Sequence, residues 1–209
     1  INVMNIPRDT MCNNTATGAS KKINAAYGMD TGGKGGNIEQ TSKEIERLMG
    51  FRPDKYVIVN FDGIAAIVDA IGGVDYDVPF DMKYDDPSQN LHIDLKKGQQ
   101  HLDGKQTVGF LRWRHNNDYT VQYTNGDEGR VENQQKFLKA LAGQVLQIKN
   151  VTKIRSIAEA VFKNVKTDFS AGELLWMGMQ AMQIDNSSIQ FFTLPGYGKM
   201  STAGTSVQY

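Results

Sequence analysis

The sequence predicts an α/β fold, in which strands and amphipathic helices follow one another along the chain. Residues 56–60 form a near-continuous apolar run, as is typical of buried parallel strands. Ile38–Met49 instead places Ile45 and Leu48 on one side of a helix. With 209 residues, 21 glycines and 5 prolines, the composition indicates a turn-rich folded chain rather than a disordered one. We therefore predict one domain over residues 1–209.

The start of the chain is predicted to hold a strand and a short helical turn before that helix. Residues 1–6 have the composition of a strand, which Pro7 ends, and residues 21–28 favour a helical turn. The glycine-rich run between Thr31 and Asn37 resembles a phosphate loop only superficially. It lacks the Gly-Lys-Ser/Thr ending and no strand leads into it, so we do not expect a nucleotide site.

The middle of the chain is predicted to alternate between helix and strand. A short helix over residues 63–71 is followed by strands at Val74–Val78 and Leu91–Leu95. Between these strands, residues 80–90 are polar and rich in aspartate. A calcium loop needs ligands at alternating positions, a fixed glycine and a closing glutamate. That pattern is absent from residues 80–90, so we expect a surface loop.

The stretch that follows carries two arginines in an aromatic setting. Residues 108–114 have the aromatic and branched content of a strand. Because side chains alternate along a strand, Arg112 and Arg114 would point one way, and Leu111 and Trp113 the other. A pair of guanidinium groups would therefore leave the same face of the chain.

A loop and a long helix are predicted next. Residues 116–126 are polar and without apolar period, whereas residues 129–149 have helical spacing. The acidic Asp127 stands where the helix would start. Arg130 and Gln134 are four residues apart and would share one face of its first turns.

These basic residues suit an anion. Planar guanidinium groups match phosphate oxygens, and a helix N-terminus adds N–H groups and partial positive charge. Three arginines aimed at one volume would bind a doubly phosphorylated group. The alternative is a solvated surface on which the arginines form salt bridges with Asp118, Asp127 and Glu128, and the residues alone leave both open.

Two further basic residues lie near the start of the chain. Arg8 follows the first predicted strand, at the edge of the sheet where α/β proteins usually bind ligands. It could join the other arginines or pair locally with Asp9. Lys22 could reach a phosphate or stay solvated.

The last third is predicted to contain two helices, over residues 151–165 and 171–182, and a strand over residues 189–194. The second helix includes Met177 and Met179 in an apolar patch. Methionine-rich patches can adapt to a flexible hydrocarbon, although core packing is the commoner explanation.

Composition excludes several classes of protein. Lys+Arg 23 and Asp+Glu 23 cancel, so no global basic field favours nucleic acid. No apolar run approaches the roughly 20 residues of a membrane span. Cys12 is the single cysteine, so no disulfide forms within the chain, and the scattered histidines do not resemble a zinc site.

Several motifs, taken in order, resemble the LytR–CpsA–Psr family of cell-wall polymer transferases. They are Ile-Pro-Arg-Asp-Thr at 6–10, Lys-Ile-Asn-Ala-Ala-Tyr at 22–27, Asn-Phe-Asp-Gly at 60–63, Val-Asp-Ala-Ile-Gly-Gly-Val at 68–74, Gly-Gln at 98–99, Leu-Asp-Gly at 102–104, Arg-Trp-Arg at 112–114, and Asp-Glu-Gly-Arg at 127–130 with Gln-Gln at 134–135. Each motif is modest alone, but the ordered set is quite specific.

The resemblance implies a three-layer α/β/α sandwich with a central mixed β-sheet, outside the cytoplasmic membrane of a Gram-positive-type bacterium and tethered by an N-terminal anchor. Such enzymes move a teichoic acid or capsular glycopolymer from a polyprenyl-pyrophosphate carrier to peptidoglycan through a phosphodiester. The carrier lipid would lie in an apolar tunnel. Hydrolysis of polyprenyl pyrophosphate, or non-catalytic binding of lipid carrier or polymer, are the alternatives.

The resemblance also implies roles for individual residues. Those that would hold the pyrophosphate are Arg8, Arg112, Arg114 and Arg130, with Lys22 and Gln134 at its edge. Asp127 would orient Arg114 or Arg130, or serve as the base, and these three form the predicted catalytic set.

The resemblance further implies Mg²⁺ at the pyrophosphate. In the family, the aspartates expected to bind this ion precede the Pro-Arg-Asp motif on a further strand. We expect those ligands, and that strand, upstream of Ile1. The parent protein is therefore expected to be active, whereas the 209 residues alone would lack these metal ligands and this strand.

Overall fold

Helices and strands are mixed along the described part of the chain, which confirms the predicted α/β class. The computed structural model describes residues 1–12, 22–28, 36–145, 154–181, 183–200 and 206–208. Its helices are α1 (Ile23–Gly28), α2 (Ile38–Met49), α3 (Phe61–Ile71), α4 (Gly104–Arg112), α5 (Gly126–Val145), α6 (Ile154–Asn164) and α7 (Ala171–Ala181). Its strands are β1 (Asn2–Asn5), β2 (Val57–Val59), β3 (Val74–Val78), β4 (Met82–Asp86), β5 (Leu91–Leu95), β6 (Gly98–Leu102), β7 (Val165–Thr167), β8 (Gln190–Thr193), β9 (Gly198–Met200) and β10 (Ser206–Gln208).

The chain divides into two units, residues 1–55 with 190–209, and residues 56–189. In the first unit, β1 pairs in parallel with β8, and β9 pairs antiparallel with β10. In the second unit, the pairs β2 with β7, β3 with β6, and β4 with β5 are all antiparallel. Both directions of pairing occur among the described strands, in two-stranded ladders.

The hydrophobic pattern predicts some elements well and others not at all. Ile38–Met49, Val74–Val78 and Leu91–Leu95 have the predicted bounds. The surface loop predicted at residues 80–90 is wrong over Met82–Asp86, which forms β4 and pairs with β5. A short polar strand has little hydrophobic pattern of its own, so the ladder depends on its partner strand.

The strand predicted over residues 108–114 is also wrong, because most of it belongs to helix α4. The side chain of Asp103 accepts a hydrogen bond from the backbone N–H of Gln106 at 2.7 Å, and the Gln106 side chain accepts one from the Asp103 N–H at 3.0 Å. This capping box starts the helix. Gly104 then lets α4 approach α3, since a Cβ there would clash with the backbone carbonyl oxygen of Ala65.

The core of the second unit lies between β3 and the helices α4 and α5. Val74, Tyr76 and Val78 of β3 are buried and alternate with exposed residues. The Tyr76 ring meets Phe110 of α4 and Phe137 of α5 edge-on, with centroids 5.0 and 5.3 Å away. Aromatic contacts of this geometry stabilise a core beyond the area they bury. They also fix the C-terminal half of α4 relative to α5.

Helix α7 differs from the other long helices because none of its described residues is buried. Leu175, Trp176, Met177 and Met179 are all exposed. The expectation that Met177 and Met179 pack in a core is therefore wrong. None of the helices described here has both the length and the apolar content needed to cross a bilayer.

Candidate anion-binding pocket

A pocket of about 490 Å³ lies in the second unit, where α4 ends beside α5. Three guanidinium groups line it, those of Arg112, Arg114 and Arg130. Apolar side chains line it too, among them Phe61 and Leu91. The pocket therefore combines concentrated positive charge with an apolar wall.

The two arginines of the Arg-Trp-Arg motif reach the pocket because Trp113, which lies between them, turns inward. Leu111 and Trp113 are buried, at 6% and 1% exposure. The indole Nε1–H of Trp113 donates to Asn116 Oδ1 at 3.1 Å. The prediction that Arg112 and Arg114 share one face is therefore confirmed at the pocket, although the segment is a helix end rather than a strand.

Gln134 joins α4 to α5. Its side-chain N–H donates to the backbone carbonyl of Leu111 at 2.8 Å, one of the last-turn carbonyls of α4 that has no partner within the helix. Arg130 lies one turn earlier on the same face of α5. The hydrogen bond thus brings Arg130 of α5 and Arg112 of α4 to one pocket, together with Gln134 itself.

Arg112 is held by neutral groups. Its Nη2 donates to Gln89 Oε1 at 2.5 Å, and its guanidinium carbon lies 5.6 Å from the centroid of the Phe61 ring. Neither contact cancels the positive charge. Arg112 is therefore positioned and still carries its full charge toward the pocket.

The alternative of a salt-bridged surface is not borne out for Arg112 and Arg114. Within the described part of the chain, neither forms an ion pair with a carboxylate. Asp118 instead accepts hydrogen bonds from the N–H and Oγ1 of Thr120, at 3.1 and 2.8 Å, and these hold its pKa below the usual value. The side chain of Asp127 lies outside the described residues.

Arg8 and Lys22 belong to the first unit, where both contact Asp9. The Arg8 Nε lies 3.5 Å from Asp9 Oδ1, and Lys22 Nζ lies 3.1 Å from the same oxygen. The local pairing of Arg8 with Asp9 is thus present. The predicted part of Arg8 and Lys22 in binding pyrophosphate stays a prediction.

Comparison with known proteins decides the family. All of residues 1–209 match the model of the LytR_cpsA_psr family. The chain belongs to this family. A LytR_cpsA_psr relative from Bacillus subtilis (strain 168), "Polyisoprenyl-teichoic acid--peptidoglycan teichoic acid transferase TagV", is 35% identical over 90% of this chain and 47% of its own length.

Other family members support the assignment. The crystal structure of B. subtilis TagV matches with a TM-score of 0.76 and 31% identity, over 98% of this chain and 75% of that one. A TagU of the same transferase description from Halalkalibacterium halodurans is 31% identical over 80% of this chain and 50% of its own length. The chain therefore spans about half the length of these curated relatives.

The pocket of this LytR_cpsA_psr domain also contains residues that no sequence motif indicates. Gln89, Tyr84 and His115 line it beside the arginines. Gln89 and Tyr84 fall in the stretch expected to be a surface loop. His115 directly follows Arg-Trp-Arg, and that adjacency was the one signal available for it.

The described residues do not form a metal site. No group of three or more His, Cys, Asp or Glu side chains among them could hold an ion, and the described pocket lining contains no carboxylate. Divalent magnesium prefers carboxylate and phosphate oxygens. The expected Mg²⁺ stays a prediction.

Proposed function

We propose that this domain transfers an anionic glycopolymer, of the teichoic acid or capsular polysaccharide type, from a polyprenyl-pyrophosphate carrier to peptidoglycan. The observation that carries the proposal is the pocket in which Arg112, Arg114 and Arg130 converge beside an apolar wall. A pyrophosphate joined to a lipid presents the matching pair of properties, several anionic oxygens and a hydrocarbon.

The names of two relatives support the same reaction. TagV and TagU are each described as a polyisoprenyl-teichoic acid–peptidoglycan teichoic acid transferase. That description contains a lipid-linked anionic polymer as donor and peptidoglycan as acceptor. This donor and this acceptor fit an extracellular, membrane-anchored protein of a Gram-positive-type bacterium. Mg²⁺ is the expected cofactor.

The chemistry assigned to the pocket is phosphoryl transfer. An acceptor sugar hydroxyl attacks the phosphorus that bears the polymer, its O–H proton leaves, and the P–O bond to the polyprenyl phosphate breaks with its electron pair. Enzymes of this type chiefly position the groups and stabilise charge on the nonbridging oxygens. We assign that work to Arg114 and Arg130, with Arg112 and Gln134 at the pyrophosphate.

The remaining predicted residues complete the proposal. Arg8 and Lys22 of the first unit are assigned to the pyrophosphate by the family motif. Asp127 is assigned to orient Arg114 or Arg130, or to take the proton.

Apolar surface supports a lipid-linked donor. Phe61 and Leu91 line the pocket, and Phe61 is 46% exposed. Its helix, α3, packs against α6, and α6 packs against α7, whose Trp176 and Met179 are exposed. Large exposed apolar groups commonly mark ligand or membrane contacts, and a polyprenyl chain is a ligand that would cover them.

The decisive experiment compares two arginine substitutions in the full-length protein. Arg114→Ala should lower transfer of labelled polymer from a polyprenyl-pyrophosphate donor to peptidoglycan by about 10²- to 10³-fold, the usual loss when one charge-stabilising donor is removed. Arg52→Ala makes the same charge change at an exposed arginine that pairs with Glu39. It should leave transfer unchanged. Thermal unfolding of both variants should match the unsubstituted protein.

Two outcomes would contradict the proposal. If Arg114→Ala transfers polymer as well as Arg52→Ala does, the pocket does not serve the reaction. If the unsubstituted protein releases phosphorylated polymer into water equally well with and without peptidoglycan, the activity is hydrolysis of polyprenyl pyrophosphate.

A further inference from the structure

His115 lines the pocket and has a defined tautomer when neutral. Its Nδ1 lies 2.9 Å from the backbone carbonyl oxygen of Asn116. A carbonyl only accepts hydrogen bonds, so Nδ1 must carry the proton. In the neutral ring the lone pair is therefore on Nε2. No hydrogen bond to Nε2 occurs from any described residue.

Two aromatic rings fix the imidazole plane. Tyr119 stacks on it with centroids 4.1 Å apart and planes 19° apart, and Tyr84 meets it edge-on at 5.7 Å and 84°. Tyr119 adopts φ 59°, a left-handed conformation that is unusual for a residue with a side chain. Such a conformation persists only where the surrounding structure imposes it, and it occurs preferentially at functional sites.

The loop that carries these rings is built around Asn116. This side chain is buried, and its Oδ1 accepts from the N–H of Lys83 at 2.7 Å as well as from the indole of Trp113. The Asn116 carbonyl also accepts from the N–H of Tyr119 at 2.9 Å. Backbone pairing of His115 with Gln122 closes the loop. The imidazole is thus held in place before any ligand binds.

The other described side chains of the lining cannot take a proton near neutral pH. The three arginines remain protonated, and the amides of Gln89 and Gln134 are not basic. A tyrosine hydroxyl such as that of Tyr84 is a weak acceptor. Imidazole, in contrast, is the side chain suited to general base catalysis at this pH.

We propose that Nε2 of His115 is the general base of the transfer reaction, and this assignment rests on the function proposed above. Nε2 takes the proton from the acceptor sugar hydroxyl as that oxygen forms its bond to phosphorus. The P–O bond to the carrier breaks, and polyprenyl phosphate leaves with the electron pair. The imidazolium then returns its proton to solvent or to the leaving phosphate, so atoms and charge balance.

The test uses the full-length protein with His115→Gln, His115→Ala and the control His92→Gln. His92 is 70% exposed, pairs with Asp85, and does not line the pocket. Loss of the base should lower kcat by about 10²- to 10⁴-fold. Binding of a polyprenyl-pyrophosphate donor, measured separately, should stay unchanged, as should thermal unfolding. Added imidazole should restore turnover to His115→Ala and not to Arg114→Ala.

Each outcome separates this assignment from the function on which it rests. If the unsubstituted protein transfers no polymer, the proposed function fails and the assignment with it. If that protein is active and His115→Gln keeps its kcat, only the assignment is overturned. The same holds if Asp127→Asn abolishes turnover while both His115 variants remain active, because the base would then be Asp127.

Discussion

The two units each hold a cluster of basic side chains, and the clusters differ in what surrounds the charge. In the first unit, Arg8 and Lys22 both lie within 3.5 Å of the Asp9 carboxylate. In the second unit, Arg112 contacts the neutral Gln89, and Arg114 has no described carboxylate partner. The first cluster thus carries its own counter-charge.

The difference shows that the number of arginines is a weak guide to an anion site. A carboxylate beside a cation offsets the field that would attract an anion, and an exposed pair of this kind adds little stability. Guanidinium groups held by neutral acceptors keep that field and remain positioned. Arg112 therefore differs from Arg8 in its partner, which is an amide for Arg112 and a carboxylate for Arg8.

Raising the pH should destabilise the second unit while its arginines stay charged. This change should have a larger effect than Gln89→Glu or Arg8→Ala. Burial raises the pKa of Tyr76 to about 12 and also raises that of Tyr123. Folding therefore favours the neutral phenols. Their contribution is complete below pH 10, where unfolded tyrosine is also neutral, and is lost as pH rises toward 12. Stability measured by urea unfolding should fall over this window, by at most about 1.4 kcal/mol per pH unit for each tyrosine.

Tyr76→Phe is the matched control for the loss of stability between pH 10 and 12, because phenylalanine has no hydroxyl to ionise. It should flatten the decline between pH 10 and 12, and it should cost about 1 kcal/mol at pH 7 because Asn133 Oδ1 loses the hydroxyl that donates to it at 3.1 Å. Arginine remains charged throughout. Binding of inorganic pyrophosphate should therefore persist as the pH is raised to 10. If binding is lost before pH 10 is reached, while the protein is still folded, arginine is not the main source of the pocket's charge.

Gln89→Glu should give Arg112 a carboxylate partner, as Arg8 has in Asp9. The substitution places a carboxylate where an amide oxygen now accepts from Arg112 at 2.5 Å. The affinity for inorganic pyrophosphate, measured by calorimetry, should fall by about tenfold, which corresponds to about 1.4 kcal/mol. Gln99→Glu makes the same charge change at an exposed position of β6 that does not line the pocket. Equal losses in the two variants would mean that overall charge, not the pocket, controls binding.

The sequence predicts which arginines share a site better than it predicts the backbone that carries them. Arg112 and Arg114 were placed on one face by strand alternation, yet Arg112 ends a helix. The outcome is the same because Leu111 and Trp113 are apolar and must be buried in either conformation. The capping signal of Asp103 and Gln106 was present in the sequence, and it outweighs the β propensity of the residues that follow.

The rest of the pocket depends on contacts between distant segments. Gln134 reaches the Leu111 carbonyl across 23 positions of the chain, and Gln89 reaches Arg112 across the same separation. Neither hydrogen bond follows a local period, so no pattern in the sequence indicates it. His115 was adjacent to a recognised motif, but its tautomer is defined only by the fold of its loop.

Arg8→Ala should produce the smallest effect of these substitutions. Because Arg8 is 66% exposed and shares Asp9 with Lys22, its removal should lower pyrophosphate affinity by no more than about fivefold, or about 1 kcal/mol. Arg114→Ala should cost more than tenfold in the same titration. Equal losses would mean that Arg8, despite its pairing with Asp9, contributes as much to pyrophosphate affinity as Arg114 does, and that a neighbouring carboxylate does not distinguish the two arginines.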